Sequence, residues 1–139
     1  MSESLTGRCM CGTVAFEVSE PLAGALYCHC KRCQRRTGSA FAVTGLTRPG
    51  SFSVVSGAET LRTYRPDDGG WHKSFCSACG SHLFTAHPED PSMVAVRLGA
   101  LDQDPGVRPG AHQFVAYAAP WEPLPDDGLP RFPERMKWE

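Results

Sequence analysis

Short stretches of apolar residues, several of them alternating with polar ones, recur along the chain. In residues 13–19 (TVAFEVS), Val14, Phe16 and Val18 share one face of an extended strand, while small or polar residues share the other. This pattern predicts a strand with one buried face. Further stretches predict strands elsewhere: SAFAVTGL, SFSVVSG, ETLRTY, WHKSFC, SHLFTA, SMVAVRLG and HQFVAYA. The stretch GALYC leads into a cluster of cysteines.

Turn-forming residues separate these stretches. The sequence RPDDGG lies between ETLRTY and WHKSFC and predicts a hairpin, and the chain contains 12 proline and 14 glycine residues. Only RCQRRTG is expected to form one or two helical turns, which Gly38 ends. The sequence has no internal repeat at solenoid spacing. We therefore predict a mainly β fold of short antiparallel strands with at most one or two short helical turns.

The length of 139 residues is typical of one domain with its own core. After residue 119 the composition changes, because prolines then alternate with apolar residues. We predict a single domain over residues 1–139, in which the Pro-rich tail, residues 120–139, packs over the core; a disordered terminus is the alternative. The apolar residues of the tail are Trp121, Leu124, Leu129, Phe132 and Trp138.

The overall charge narrows the range of partners. The formal net charge is −1, so no global field would attract nucleic acid or an anionic membrane. The N-terminal sequence MSESLTGRCMCG lacks the pattern of a secretory leader, and no apolar stretch reaches membrane-spanning length. We expect a cytoplasmic protein without nucleic-acid or membrane partners.

The chain contains seven cysteines, an odd number that cannot be fully paired within one chain. Cytoplasmic thiols are kept reduced, so a disulfide framework is disfavoured against a metal site or a redox function. The cysteines fall into three groups along the sequence: Cys9 with Cys11; Cys28 with Cys30 and Cys33; and Cys76 with Cys79.

The spacing of four cysteines predicts a closed metal site. Cys76 and Cys79 form a C-x-x-C turn followed by Gly80, which lets two sulfurs converge on one ion when the glycine adopts a positive φ. Cys9 and Cys11 supply the natural second pair. A closed site of four thiolates stabilises a fold but has no position for a substrate. We call these four residues the cysteine quartet.

The remaining three cysteines, Cys28, Cys30 and Cys33, form the cysteine trio. The trio would leave the fourth position of a zinc ion open for water or an exogenous ligand. Three thiolates make zinc a weak Lewis acid that is suited to a soft ligand such as another thiol. The trio is therefore the candidate reactive site.

Other assignments remain open from the residues alone. Cys28 could be a buried strand residue, with Cys30 and Cys33 joining the other thiols. An iron-sulfur cluster is a second alternative, although the ferredoxin spacings are absent. His29 lies between two cysteines and could be a fourth ligand or a proton shuttle, whereas most histidines are neither.

Five segments, taken in order, point to one family. They are GRCMCGTVAFEV, YCHCKRCQRRTGSAF, FCSACGSHLF, LGALDQDP and the closing PW…LPRF. Together they resemble the glutathione-dependent formaldehyde-activating enzymes, the family that also contains centromere protein V. The resemblance extends from Gly7 to Phe132. It implies a mainly β, β-tent-like fold with two zinc ions.

The resemblance also implies roles for the cysteines. The quartet of Cys9, Cys11, Cys76 and Cys79 matches the structural zinc site of the family. Cys28, Cys30 and Cys33 match its catalytic zinc site. The implied reaction is of the carbon-sulfur lyase type, in which glutathione adds to formaldehyde to give S-hydroxymethylglutathione. The implied partners are a thiol and a small electrophile, and we expect a monomer or a homodimer.

The resemblance is less informative about the substrate than about the metals. Glutathione has two carboxylates, which the cations at Lys31, Arg32, Arg35 and Arg36 could bind. A solvated helix face explains the same charges. Two other functions remain as alternatives: a non-catalytic module that binds zinc or glutathione, and a redox sensor in which the trio is oxidised.

Overall fold

The computed structural model describes residues 4–136, and strands dominate this range. The ten strands within residues 4–136 are β1 (Leu5–Arg8), β2 (Ala15–Val18), β3 (Gly24–Cys28), β4 (Ala42–Leu46), β5 (Phe52–Ser56), β6 (Leu61–Tyr64), β7 (His72–Cys76), β8 (His82–Ala86), β9 (Val94–Arg97) and β10 (His112–Gln113). The α-helix in this range is α1 (Lys31–Thr37), and the 3₁₀ turns are Ala58–Thr60, Leu98–Ala100 and Val115–Tyr117. The prediction of a mainly β fold is confirmed.

The strands form two sheets. The smaller sheet has the order β1-β2-β5, and the larger has the order β10-β3-β4-β9-β8-β7-β6. Every pair of neighbours is antiparallel except β10 and β3, which run parallel. The predicted hairpin is present, since β6 pairs with β7 across the RPDDGG turn. The larger sheet thus places the end of β3, where the trio begins, between β4 and β10.

The hydrophobic core joins the two sheets. Phe16 of β2 is 1% exposed, and its ring lies 5.3 Å from the ring of Phe52 in β5. Phe52 in turn lies 4.5 Å from Phe84 of β8, in the larger sheet. Removing a side chain such as Phe16 from water contributes about 1.5–3 kcal/mol. As the alternation predicted, Phe16 and Val18 are buried while Glu17 is exposed.

The helix α1 begins one residue before the predicted segment RCQRRTG and ends at Gly38, as predicted. Cys30 is its N-cap, and the Cys30 Sγ accepts a hydrogen bond from the Cys33 N–H at 3.3 Å. Gly38 is its C-cap at φ 68°, and the Gly38 N–H donates to the Gln34 carbonyl at 2.8 Å. A left-handed residue at this position stops the helix after two turns. The helix therefore holds two trio cysteines at its N-terminal end.

The last predicted core strand is much shorter than expected. HQFVAYA is extended only at β10, because Phe114 adopts φ 58° and Val115–Tyr117 forms a 3₁₀ turn. The sequence analysis also missed β1. Its sequence LTGR has little apolar character, and Gly7 is needed because a Cβ there would lie 2.3 Å from the Phe16 ring. Both errors reflect contacts with other segments of the chain: Phe114 bonds to Glu134, and Gly7 packs against Phe16.

Part of the tail lies beside β10. The Phe132 N–H donates to the His112 carbonyl at 2.8 Å, and the His112 N–H donates to the Pro130 carbonyl at 2.9 Å. Trp121 is 64% exposed. Trp138 lies outside the described residues, so the packing of the whole tail over a single domain stays a prediction. No helix in residues 4–136 is long and apolar enough to cross a membrane.

Candidate metal centres

The cysteine quartet assembles at the junction of the two sheets. Cys9 and Cys11 follow β1, Cys76 ends β7, and Cys79 lies in the turn that leads to β8. Their four sulfurs lie within 4.8 Å of one another. The Sγ atoms of Cys9 and Cys11 are 3.6 Å apart, and those of Cys11 and Cys76 are 3.8 Å apart. Tetrahedral zinc with Zn–S bonds of about 2.3 Å requires sulfurs about 3.8 Å apart, so the quartet could hold one ion.

Backbone groups fix the quartet. The Val14 N–H donates to Cys9 Sγ at 3.3 Å, and the Cys79 N–H donates to Cys76 Sγ at 3.4 Å. Gly80 has φ 81°, as its place after the C-x-x-C turn predicted. The Ser81 hydroxyl and backbone lower the pKa of Cys79 to about 5, which favours the thiolate form that binds metal. These backbone hydrogen bonds fix the positions of the Cys9 and Cys76 sulfurs.

The cysteine trio forms a separate cluster. Cys28 ends β3, Cys30 caps α1, and Cys33 lies in its first turn. The three sulfurs lie within 4.8 Å of one another, with Cys28 Sγ and Cys30 Sγ 3.5 Å apart. No other cysteine, histidine or carboxylate of residues 4–136 belongs to the cluster. The trio could therefore hold one ion and leave a coordination position for another molecule.

Hydrogen bonds within the trio favour one thiolate. The Cys28 and Cys33 side chains lower the pKa of Cys30 to about 2. Hydrogen bonds with the Cys28 and Cys30 side chains raise the pKa of Cys33, and the hydrogen bond with Cys30 raises the pKa of Cys28. These shifts favour a single thiolate in the trio, so metal binding would release protons from the other two cysteines.

A pocket opens beside the trio. It has a volume of about 490 Å³, and all three trio cysteines line it. Its wall combines apolar and aromatic groups from several strands, including Leu26 and Trp71, with Phe114 and Tyr117 near the end of the chain. No acidic residue of the described chain lines this pocket. Five cations line it: Lys31, Arg32, Lys73, Arg97 and Arg135.

Positive charges are also crowded around Cys33 of the trio. Arg36 lies one helical turn after Cys33, and its Nη1 is the one buried side-chain nitrogen or oxygen of residues 4–136 without a hydrogen-bond partner. Burial and the nearby Arg97 lower the pKa of Arg36 to about 10. Burial also lowers the pKa of Lys73. An anion in the pocket would offset the repulsion between Arg36 and Arg97, because Arg97 lines the pocket.

The structure separates the four cations that the sequence singled out. Lys31 and Arg32 line the pocket, whereas Arg36 does not and its Nη2 donates to the Ser74 carbonyl. Arg35 is exposed to solvent, as the alternative of a solvated helix face predicts. The sequence analysis did not single out Lys73, Arg97 and Arg135, because strands and the tail bring them to the pocket from far along the chain.

A hairpin tip reaches the rim of the pocket. Asp68, at the tip of the β6–β7 hairpin, forms an ion pair with Arg32. Both side chains are about half exposed, at 47% and 56%. The Gly70 N–H donates to Asp68 Oδ1 at 3.0 Å, which fixes the orientation of the carboxylate. Asp68 thus competes with a ligand carboxylate for the Arg32 guanidinium.

His29 points to a second histidine. Its Nε2 lies 2.8 Å from His112 Nδ1, and His112 Nε2 lies 2.8 Å from Asp127 Oδ2. The Nε2 of His29 is thus engaged by His112, and no histidine belongs to either cysteine cluster in residues 4–136. His112 and Asp127 lie in no motif, so the sequence analysis did not identify them. The shuttle role of His29 stays an open alternative.

The sequence and the fold are similar to those of known proteins. A family model described as glutathione-dependent formaldehyde-activating enzyme matches residues 4–117. A protein of Halomonas elongata, provisionally named a glutathione-dependent formaldehyde-activating enzyme, is 31% identical over 105 residues, which cover 72% of this chain and 67% of the relative.

The fold has a counterpart among solved structures. A crystal structure of a Rhodobacter sphaeroides protein is similar, with a TM-score of 0.60 and 29% identity, over 91% of this chain and 98% of that one. This likeness supports the arrangement of strands described above. Because the family model spans most of the sequence and includes all seven cysteines, the chain belongs to the glutathione-dependent formaldehyde-activating enzyme family.

Proposed function

We propose that this protein is a zinc-dependent enzyme that joins a thiol such as glutathione to formaldehyde or a related small electrophile. The observation that carries the proposal is the cysteine trio, which opens into a pocket lined with cations. The name of the matching family supports the same pair of reactants. The activity would be of the carbon-sulfur lyase type, running in the direction of addition.

In the proposed reaction, the S–H bond of glutathione adds across the C=O bond of formaldehyde. A carbon-sulfur bond forms, the π bond of the carbonyl breaks, and the thiol proton ends on the oxygen. S-hydroxymethylglutathione therefore contains every atom of both reactants. Zinc held by Cys28, Cys30 and Cys33 would lower the pKa of a thiol at its open position. The other groups of the chain would bind and orient the cosubstrate.

The pocket suits an anionic thiol. Its volume of about 490 Å³ falls in the range typical of small-molecule sites. Glutathione has two carboxylates, and charge-assisted hydrogen bonds from lysine and arginine are the strong ones in such sites. Lys31 and Arg32 lie on the helix side of the pocket, and Lys73 and Arg97 lie on the sheet side. A bound thiol would thus meet positive charge on two walls with its sulfur near the trio.

The decisive experiment measures the reaction itself. Zinc-loaded protein is mixed with glutathione and formaldehyde, and the exchange between free and adduct forms is followed by NMR exchange spectroscopy. We expect exchange faster than the uncatalysed addition, and loss of the acceleration when the trio metal is removed. An exchange rate equal to the uncatalysed rate would refute this substrate pair.

The two alternative functions predict different results. A non-catalytic module would bind glutathione without accelerating exchange. A redox sensor would lose zinc and form an intramolecular disulfide under mild peroxide, for which the 3.5 Å between Cys28 Sγ and Cys30 Sγ is a favourable starting distance. A cytoplasmic location belongs to the proposal as well, because the trio requires reduced thiols. A monomeric or homodimeric state is also part of the proposal.

Arg32→Gln is expected to weaken glutathione binding. The substitution removes a cation from the pocket rim but leaves the trio unchanged. Because Arg32 is half exposed, we expect the KM for glutathione to rise about threefold to tenfold. The KM for 2-mercaptoethanol, which has no carboxylate, should not change. Steady-state kinetics with both thiols test this expectation, and Arg35→Gln on the same helix is the matched control.

Asp68→Asn should have the opposite effect. The substitution removes the carboxylate that competes for Arg32, so the KM for glutathione should fall. Asp67→Asn makes the same charge change at a neighbouring exposed residue and should have little effect. Equal shifts in Asp68→Asn and Asp67→Asn would mean that only the overall charge of the hairpin matters.

A further inference from the structure

The segment between the first two trio cysteines is anchored through its central residue, His29. His29 is 3% exposed and His112 is 1% exposed, and their ring nitrogens lie 2.8 Å apart. The His112 ring stacks on Tyr27 of β3 at 4.7 Å. Two buried rings packed in this way have little freedom to turn. The position of His29 is therefore set by His112.

Asp127 accepts a hydrogen bond from the His112 ring. An ionised carboxylate can only accept, so His112 Nε2 donates to Asp127 Oδ2. The other ring nitrogen, His112 Nδ1, shares a hydrogen bond with His29 Nε2. A chain of hydrogen bonds thus runs from His29 through His112 to Asp127. Replacing the last acceptor would leave a buried His112 N–H without a partner, which is costly.

The backbone of His29 is held as firmly as its ring. The His29 N–H donates to the Gln113 carbonyl at 3.0 Å. The His29 carbonyl accepts from Gln34 Nε2 at 2.9 Å, and the same nitrogen donates to the Tyr117 carbonyl at 2.9 Å. The first of the two peptide groups that connect Cys28 to Cys30 is thus tied to β10, and the second is tied through Gln34 of α1 to the turn that follows β10.

The tail is attached to the same histidine. The Leu129 N–H donates to Asp127 Oδ1 at 3.0 Å, which orients the carboxylate. The His112 backbone exchanges hydrogen bonds with Pro130 and Phe132 at 2.9 and 2.8 Å. His112 therefore contacts the tail through its ring and through its backbone, and contacts the trio segment through His29.

We propose that Asp127 and His112 are positioning residues that couple docking of residues 127–134 to the retention of metal by the cysteine trio. The docked tail holds His29, and His29 holds the backbone between Cys28 and Cys30 in the spacing that one ion requires. Coupling of this kind is reciprocal, so an ion in the trio also stabilises the docked tail. The inference does not depend on catalysis and applies equally to a non-catalytic zinc protein.

The first test compares Asp127→Ala with Asp126→Ala. Asp126 is exposed and precedes Asp127, so it is a matched control. Zinc-loaded proteins are mixed with a chromogenic chelator, and two phases of release are expected, one from each cluster. Because outer groups of metal sites typically change affinity 10- to 100-fold, we expect the trio phase to accelerate about tenfold in Asp127→Ala. The quartet phase should be unchanged, and Asp126→Ala should match the parent protein.

Asp127→Asn adds a graded comparison. Asparagine retains an oxygen that can accept from His112 Nε2 but carries no charge. Its trio phase should be intermediate between those of the parent and Asp127→Ala. Equal acceleration of both phases in Asp127→Ala would indicate general destabilisation and would overturn the proposal. A trio phase at the parental rate would overturn it as well.

The second test needs no substitution. Hydrogen exchange of the Phe132 and Val115 amides, which donate to the His112 and Phe132 carbonyls, is measured with the trio loaded and with its zinc removed. Reciprocal coupling requires these amides to exchange faster once the trio is empty, while amides beside the quartet keep their protection. Unchanged exchange of the two amides would refute the coupling even if Asp127→Ala failed to fold.

Discussion

Cys76→Ser should prevent the domain from folding. The Cys76 side chain is fully buried and belongs to the core cluster, and its sulfur lies 3.8 Å from that of Cys11 across the junction of the sheets. A structural zinc contributes on the order of 10 kcal/mol of apparent binding free energy, which is comparable with the whole stability of a typical domain of about 5–15 kcal/mol. Serine is a poor zinc ligand, so most of this contribution should be lost.

Circular dichroism and metal analysis measure the effect. The parent protein should melt cooperatively with two equivalents of zinc, whereas Cys76→Ser should be insoluble or should show no cooperative transition. A folded Cys76→Ser variant with a melting temperature near that of the parent would contradict a structural role for the quartet.

Cys30→Ser should instead remove function and spare the fold. Cys30 is the N-cap of α1, and its sulfur accepts from the Cys33 N–H at 3.3 Å. Serine is among the best N-cap residues, so the helix should keep its first turn, and we expect the change of cap itself to alter the stability by less than about 1 kcal/mol. The trio would retain only two thiolates, which is too few to hold zinc firmly. Acceleration of the reaction of glutathione with formaldehyde should disappear.

The two cysteine variants control for each other. Both make the same chemical change, so a difference in melting temperature reflects the site and not the substitution. Cys30→Ser should contain one equivalent of zinc where the parent contains two, and it should still unfold cooperatively, with a melting temperature similar to that of the parent after removal of the trio zinc. If Cys30→Ser and Cys76→Ser unfold to the same extent, the division into a structural quartet and a reactive trio is wrong.

Local patterns predicted most of the secondary structure. The alternation around Phe16 placed β2 correctly, and Gly38 ended the helix as predicted. These features depend on residues only a few positions apart. The break at Phe114 depends instead on the tail, since the Phe114 N–H donates to the Glu134 carbonyl. The strand pattern in HQFVAYA could not reveal that the Phe114 N–H bonds to the tail instead of to a neighbouring strand.

The candidate site divides in the same way. The spacing within CHCKRC and FCSACG was enough to group the cysteines, because ligands close in sequence share one turn. The cations Lys73 and Arg97 come from separate strands, and their sequence neighbours give no sign of a shared pocket. His112 and Asp127 were missed for the same reason, since the link from Asp127 to His29 exists only after the tail has docked.

The two clusters also differ in how far apart their ligands lie along the chain. All three thiols of the trio occur within one hexapeptide, whereas Cys11 and Cys76 are separated by 65 positions. Bringing such distant residues together costs loop-closure entropy that a short chelating peptide avoids. During synthesis, the trio could bind metal as soon as its hexapeptide leaves the ribosome. The quartet could do so only after Cys79, when more than half of the polypeptide has been made, so the trio would be the first of the two clusters to meet the available metal.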